Sequence, residues 1–471
     1  MINDWELVIG IEIHLELNTK TKMFSPAPNT YEAKENCNVS HIDLGYPGTL
    51  PLVNSEAIIK GIKLAKALNM TIDSEIRFDR KNYFYPDLNK GYQITQQFRP
   101  IGKDGLIKIK VKDQWKDILI ERIHLEEDTA KSIHDDDYTY LNQNRASVPL
   151  IEIVSRPVIH SIEDAKAYVE AIRLTALALN ISDAKMNEGS LRTDVNISVR
   201  KKGTNDLNTR VEIKNLNSIS NIEKAIQYEM QYQINCYENN QTFEQCTKRF
   251  DEQSQTTIVM RSKSDSIDYK YFPDPNIPYI SLSKQLIDAV NIEELPFARE
   301  NRYLSLGLNN VQISQLINNI EYAKYLDSIE STDFKKSANI FFSEVVSYLN
   351  SNNLNIQDLL FTPRDCKDAI ELLNNAKIDK KNFIKLIELK QNNSAHSIID
   401  LAKNNQLYIE SIVINIADIV ADILKENSNL ESQLKTDYNK ALKFIMGQFM
   451  KKTMGKGNTA ELNKYLEEKY L

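Results

Sequence analysis

Cysteine is scarce: the 471 residues hold four, Cys37, Cys236, Cys246 and Cys366, with no CxxC spacing among them. That argues against a disulfide framework and a cysteine zinc site, and for a reducing, cytoplasmic setting. Uninterrupted apolar runs are also missing. The longest, SIVINIADIVADIL (411–424), is broken by Asn415, Asp418 and Asp422 at the spacing of an amphipathic helix's polar stripe, so no membrane partner is expected. No basic, apolar leader precedes the first predicted strand, which argues against a secretory signal. Positive charge is not in excess. A net charge of −7 speaks against a chain coated by nucleic acid but is compatible with a local basic patch. Neither GxxxxGK[ST] nor a GxGxxG after a predicted strand occurs. A phosphate site here would have to be built from metal and cations on a sheet face. No serine has a convincing His or Lys partner, so covalent hydrolase chemistry is not expected.

Glycine and proline are unevenly spread. Nine of 13 glycines and 11 of 13 prolines precede residue 280, so a turn-rich part gives way to helix-period sequence. The length predicts two to four domains. YFPDPNIPYI (271–280) and EELPFARE (293–300) read as the passage between the two parts. The first part also holds helices. Ser161 with Asp164, and Ser220 with Glu223, mark two helix starts in capping-box spacing. The pattern is α+β followed by all-α, divided as 1–292, 293–408 and 409–471. The last segment carries Lys440, Lys443, Lys451, Lys452 and Lys456 without an acidic residue between Tyr438 and Ala460. It is either a contact for a phosphate backbone or a solvated lysine face.

What the chain does have is acidic residues on strand faces. In GIEIHLEL (10–17), Ile11, Ile13, Leu15 and Leu17 alternate with Glu12, His14 and Glu16. Such a face is either wet surface or a site. LRTDVNISVR (191–200) aligns Asp194 with Arg192 and Asn196, and TRVEIKNLNS (209–218) aligns Glu212 with Lys214. IERIHLEED aligns His124 with Glu126. Glu127 would point to the apolar side if that strand continues. In VPLIEIVSRP (148–157), Glu152 is the only charge in a strand otherwise apolar on both faces. A buried carboxylate needs a cation, a metal or a proton. Arg145 or Arg156 could supply the cation. The alternative is a shared ion among Glu12, His14, Glu126, Glu152, Asp194 and Glu212, and oxygen ligands with one imidazole suit Mg²⁺ or Mn²⁺. A carboxylate-held Mg²⁺ most often serves a nucleoside triphosphate. FDRKNYFYPDLNKGYQITQ (78–96) offers Arg80, Lys81 and Lys90 among aromatic rings. IHLE recurs at 13–16 and 123–126, too short to count as a repeat.

These motifs, with HLEEDTAK, EGSLRTDVNISVR, EIKNLNS, YKYFPDP and MGQFMKKTMGKGN, resemble in content and order the B subunits of tRNA-dependent aspartyl/glutamyl amidotransferases. The resemblance runs from about residue 5 to the C-terminus. It implies an α+β cradle domain with a largely antiparallel sheet, related to the glutamine synthetase and guanido kinase fold. A helical domain and a small tRNA-binding tail would follow. It implies a heterotrimer in which an amidase (A) subunit releases ammonia from glutamine and a small C subunit completes the assembly. The B subunit uses ATP and Mg²⁺ to phosphorylate the side-chain carboxylate of Glu on tRNA(Gln) or Asp on tRNA(Asn), which ammonia then amidates. Carried over by position, the metal and nucleotide cluster falls on Glu12, His14, Glu126, Glu127, Glu152, Asp194 and Glu212. Lys81 and Lys90 match basic positions near the ammonia exit and the phosphates. Glu126 or Glu127 would take a proton from ammonium, alternation placing Glu126 on the metal face.

The chain departs from the family at one place. Some relatives bind zinc through two cysteine pairs, and the matching positions here are Ser25, Ala27, Ser40 and Asp43. No zinc is expected, and Cys37 is not at a ligand position. Two other classes compete with the amidotransferase: a non-catalytic tRNA-binding scaffold with a dead kinase face, and a free-standing ammonia ligase for small molecules. The first has no reason to keep a charge as costly as Glu152, and the second has no use for the basic tail.

Overall fold

The computed structural model describes residues 4–31, 33–262, 268–392, 395–409, 415–453 and 457–470. The chain forms two compact units, Met1–Ile320 and Glu321–Leu471.

The first unit is built on a nine-stranded sheet. In chain order its strands are β1 (Trp5–Glu16), β2 (Thr71–Ile72), β3 (Gly102–Val111), β4 (Gln114–Glu127) and β5 (Pro149–Ser155). They are followed by β6 (Leu191–Lys201), β7 (Val211–Leu216), β8 (Cys246–Asp251) and β9 (Thr256–Ser262). The spatial order is β9-β8-β7-β6-β1-β5-β4-β3-β2, antiparallel except for β7 beside β8. The first strand therefore lies at the centre, where both neighbours satisfy its backbone. Alternation decides the layers. Ile9, Ile11, Ile13, Ile123, Ile151, Ile153, Val195 and Ile197 are fully buried in one core. Residues of α1 (Ser55–Ala67), α2 (Ile162–Ala178) and α3 (Ile219–Glu238) share that core, so all three helices cover the same face of the sheet. This is an α+β arrangement, and it leaves the acidic face uncovered by helices.

Helix starts follow side-chain chemistry. Asn54 caps α1 through the Glu56 and Ala57 amides, and Ser161 caps α2 through Asp164 N–H. The third helix corrects the expectation. Its cap is Ser218, which accepts from Asn221 N–H at 3.1 Å, so Ser220 lies inside the helix. Glu223 instead meets Lys166 of α2 at 2.6 Å.

The proline-rich stretch after Lys270 is not a free passage. Phe272–Pro273 pairs with Arg80 and Asp79, and Ile280–Ser281 pairs with Ile76 and Glu75. The helix Pro296–Ser305 is also tied to the sheet. Glu300 meets Lys110 at 2.6 Å, and Phe297 packs edge-on to Trp115 at 4.6 Å.

The second unit is helical in its described residues. Asn415 is a cap rather than part of a stripe, since it precedes the helix Ile416–Glu426 and bonds to Asp418. Residues 411–414 of that run lie outside the described residues. No described helix is long and apolar enough to cross a membrane. Val420, Ile423, Leu430, Leu434, Ala441, Ile445, Phe449, Leu462 and Leu466 form a core of their own. Gly457 closes it, donating its N–H to Thr453 Oγ1 at 3.1 Å. A methyl group there would overlap the Phe449 ring and lie 2.8 Å from Thr453 Oγ1. Gly457→Ala should therefore destabilise this core by about 1–3 kcal/mol. Hydrogen exchange in the helix Tyr438–Lys452 reads this directly, and unchanged protection would refute it.

Candidate active site

The uncovered face carries two groups of side chains close enough to share a metal ion. The first is a row across three strands. His14 of β1 stands opposite Glu152 of β5, and Glu152 stands opposite His124 of β4. His124 Nε2 lies 3.0 Å from Glu152 Oε2, and His14 Nε2 lies 3.5 Å from the same oxygen. Glu126 joins them, 3.4 Å from His124 and 3.8 Å from His14, while accepting from Thr95 Oγ1 at 3.1 Å. The second group is Glu12, Asp194 and Glu212, whose carboxylate oxygens lie within 4.8 Å of one another. Glu12 pairs laterally with Asp194, and Asn196 with Glu212. Asn196 donates to Glu12 at 2.9 Å, and Thr247 donates to Glu212 at 2.8 Å. An extra residue bulges β7 between Ile213 and Leu216, with Asn215 at φ +67°. Beside this bulge Lys214 spans Asp194 at 2.5 Å and Glu212 at 2.8 Å.

The two groups carry their charge differently. Burial alone would lower the His124 pKa, but the charge and hydrogen bonds of Glu152 and Glu126 outweigh it and hold the imidazole up at about 9. His14 is raised against the same opposition, chiefly by Glu152. Glu152 answers in kind. Burial pushes its carboxyl up, while His124 and His14 hold it well below the usual carboxylate range. In the second group, burial first and then Glu152, Asp194 and Glu212 raise the Glu12 carboxyl. Lys214 resists burial because Asp194 and Glu212 raise its pKa. Three carboxylates against one ammonium leave a surplus of negative charge, and an all-oxygen set of this kind fits a hard divalent cation such as Mg²⁺. The His14–Glu126–Glu152 group mixes nitrogen and oxygen, which suits Mn²⁺ or Mg²⁺ once the imidazoles are neutral.

Beside both groups is a cavity of about 400 Å³, lined among others by His14, Lys81, Glu126, Arg192, Asp194 and Lys214. Lys81 lines this cavity, its Nζ 4.9 Å from the Tyr269 ring. Burial would discharge it, but Glu126 and other neighbours keep its pKa raised. Other candidate residues are engaged elsewhere. Glu127 does not join the metal group. Its strand runs on through residue 127, which alternation turns to the other face, where it pairs with Lys90 and accepts from Ile94 N–H at 3.0 Å. Lys90 is thereby held away from the acidic groups. Arg80 is engaged with Asp274 at 2.8 Å and stacked over Tyr92. Nor does an arginine neutralise Glu152, since Arg145 meets Asp128 and Arg156 meets Asp104. Of the four positions Ser25, Ala27, Ser40 and Asp43, the last accepts from Ser40 N–H and is buried against Lys22 at 3.4 Å.

Residues 7–288 match the family described as the GatB/GatE catalytic domain, and residues 324–470 match the GatB domain. The chain belongs to the GatB/GatE family. It is 50% identical to the B subunit of the aspartyl/glutamyl-tRNA(Asn/Gln) amidotransferase of Mycoplasmopsis agalactiae, over 100% of both chains. The corresponding Mycoplasmopsis pulmonis protein is 48% identical over 99% of this chain and 98% of its own length. That of Enterococcus faecalis is 40% identical over 99% of each. In this GatB/GatE chain, sequence reasoning put His124, Lys214, Asn196 and Arg192 on polar strand faces without giving them a part in the site, and it did not reach Thr247. The signal for His124 was present, because the repeated IHLE puts His14 and His124 on strands that flank Glu152. Nothing local announced Lys214, whose role needs the bulge.

The sign of the imidazole shifts gives a test. A raised His124 pKa means its contribution is full below about 6.5 and is lost as pH rises through about 9. The depressed Glu152 contributes above its ordinary 4.5 and loses that contribution as pH falls through its lowered value. In a chelator, thermal stability should therefore fall from about pH 6.5 to 9, and saturating Mn²⁺ should remove the decline by replacing the protons. The Glu152→Gln variant should show a shallower decline, since only Glu126 then holds the His124 proton. A chelator-treated wild type with a flat profile over that range would refute the pairing.

Proposed function

We propose that this chain activates and amidates the side-chain carboxylate of Glu on tRNA(Gln), Asp on tRNA(Asn), or both, consuming ATP. The observation that carries the reading is the cavity itself, lined by His14, Glu126 and Asp194 of the two groups together with the cations Lys81, Arg192 and Lys214. Family membership supplies the substrate class, since the relatives are aspartyl/glutamyl-tRNA(Asn/Gln) amidotransferase B subunits. We further read the sheet as the cradle related to the glutamine synthetase and guanido kinase fold.

A carboxylate does not accept ammonia at neutral pH, so one of its oxygens must first become a leaving group. Glu12, Asp194 and Glu212, with His14, Glu126 and Glu152, would hold the Mg²⁺ that neutralises nucleotide phosphates and orients the γ-phosphate for attack. Everything else falls to the chain's own side chains. Arg192 is fixed by Asp128 at 2.7 Å and keeps a buried Nε without a partner, a ready donor for the substrate carboxylate. Lys81 would offset charge on the acyl phosphate. Its ammonium is held charged and its position is fixed by the Tyr83 and Tyr269 rings. Glu127, standing behind the sheet beside Lys90, is our candidate for taking a proton from incoming ammonium, so that neutral ammonia attacks and phosphate leaves. The same cavity shares Arg192 and Asn217 with a larger cleft of about 750 Å³, the side from which an aminoacylated end would enter.

The partners we infer are an amidase subunit that supplies ammonia from glutamine, a small third subunit, and the misacylated tRNA. Residues 409–471 would form the tRNA-binding tail and 293–408 the helical connector, with 1–292 carrying the chemistry. The tail's lysines and its separate apolar core support that division.

The decisive assay combines the chain with its amidase and small partners, Mg²⁺-ATP, glutamine and Glu-tRNA(Gln), with Asp-tRNA(Asn) in parallel. Formation of Gln-tRNA or Asn-tRNA is expected, and formation of neither refutes the proposal. ATP cleavage triggered by charged tRNA separates the enzyme from an inert scaffold. Glu152→Gln should lower kcat by about 10²–10³-fold, the scale of losing one preorganised charge, with tRNA affinity nearly unchanged. An equal loss of both would mean that Glu152 serves the fold. Removing the residues after 408 should raise the tRNA KM at least about tenfold, as loss of several phosphate contacts does. An unchanged KM would exclude a binding role for the tail.

A further inference from the structure

The opening strand carries one acid that the phosphoryl chemistry above does not use. Glu16 shares the polar face with Glu12 and His14 but stands at the far end of β1, opposite Leu150. There it is half-buried and hydrogen-bonded to Asp128. Two carboxyl groups in contact need a shared proton or a cation. The nearby guanidinium groups do not serve the two acids equally. Arg192 grips Asp128 through two nitrogens, at 2.7 and 3.4 Å. Arg145 turns to the same carboxylate at 3.6 Å while donating to Thr129 O and Ala130 O. Asp128 also accepts from Thr129 N–H at 2.9 Å. Glu16 has no ion pair of its own among the described residues. Asp128 is therefore well supplied with donors, and Glu16 lacks a cation.

Position says which cation fits. Glu16 and Arg192 both line the larger cleft, while Arg192 and Asp128 also line the cavity beside the acidic groups. An aminoacyl ester lying across that wall has three polar ends. Its side-chain carboxylate points into the cavity, its ester oxygen leads out through the cleft, and its α-carbon stands between them. That carbon carries an ammonium. The other acids of the cleft are placed differently: Glu35 and Asp183 are exposed, and Glu188 is held by Lys185 at 2.9 Å. The buried, unpartnered Arg192 Nε marks the opposite pole. One short span of wall thus offers a donor for a carboxylate and an acceptor for an ammonium. A molecule of that polarity is an acidic amino acid bound through its α-carboxyl. We propose that Glu16, oriented by Asp128, receives the α-ammonium of the misacylated ester. The inference rests on the amidation reading above and adds how the aminoacyl group is recognised.

The test uses the chain assembled with its amidase and small partners, with Mg²⁺-ATP and glutamine. Two substrates run in parallel: Glu-tRNA(Gln), and 2-hydroxyglutaryl-tRNA(Gln), in which a hydroxyl of similar size replaces the ammonium. The wild type should prefer the ammonium substrate about 10–100-fold in kcat/KM, the scale of one hydrogen bond to a charged group. In Glu16→Gln the new amide can still bond Asp128, so Arg192 keeps its place. The preference should then shrink to within about threefold, through loss on the ammonium substrate alone. Equal loss on both substrates would mean that Glu16 only holds Asp128 and Arg192 in position, which overturns the proposal. A wild type without the preference, or a variant that keeps it in full, overturns it too. A wild type that amidates neither substrate overturns the amidation reading itself, and this inference with it. If Glu16→Gln does not fold, Glu16→Ala is read by the same criteria.

Discussion

The face is organised by the neutralisation of one carboxylate. Glu152 sits on a strand flanked on both edges and buried nearly throughout, where an unpaired charge would cost several kcal/mol. Its lateral neighbours are imidazoles, His14 on one side and His124 on the other. That row exists only in one register. The apolar residues next to it, Ile13, Ile153 and Ile123, form the matching row on the buried face and are each fully buried. A slip of one residue would drive Glu152 into the core and expose those isoleucines. Hydrophobic packing under α1 and α2 therefore fixes the geometry of the acidic face above it.

Adjacent residues on one strand can serve opposite sides of the sheet, and the Glu126–Glu127 pair depends on this. Glu126 faces the cavity and Thr95, while Glu127 faces Lys90. Extended backbone puts two carboxylates one residue apart yet separates them by the thickness of the sheet. Chemistry that needs one carboxylate among ions and another near an amine can thus be supplied by two consecutive codons. A helix could not do this, because neighbours there diverge by only about 100°.

Period-two alternation made the polar faces legible. Glu12, His14, Glu126, Glu152, Asp194 and Glu212 could be assigned to them from sequence because each lies in a run with buried residues on both sides. Strand order was not legible, since β1 pairs with residues about 140 and 185 positions away. Without that order, the recurrence of IHLE had no meaning. With it, the repeat becomes two imidazoles around one carboxylate. The bridging of Asp194 and Glu212 by Lys214 stayed hidden for a related reason: a bulge is a mismatch between two strands and is written in neither alone. The start of α3 was ambiguous because Ser218 and Ser220 both have capping chemistry, and only tertiary packing chose between them.

The two groups that could hold an ion are balanced by different means, and this bears on how they would fill. His14 and His124 can surrender protons, so a cation entering beside Glu126 and Glu152 exchanges with hydrogen ions already present. Lys214 is covalently tethered and held charged by Asp194 and Glu212, so a cation entering there must displace an ammonium rather than a proton. Displacement is favoured when an anion arrives to receive that ammonium, and a nucleotide's phosphates are such an anion. The first group should therefore respond to pH and the second to phosphate. Glu12 stands between them, its carboxyl raised by Glu152 of one group and by Asp194 and Glu212 of the other. Charge added to either group is felt at Glu12, which couples the loading of the two without any movement of the backbone.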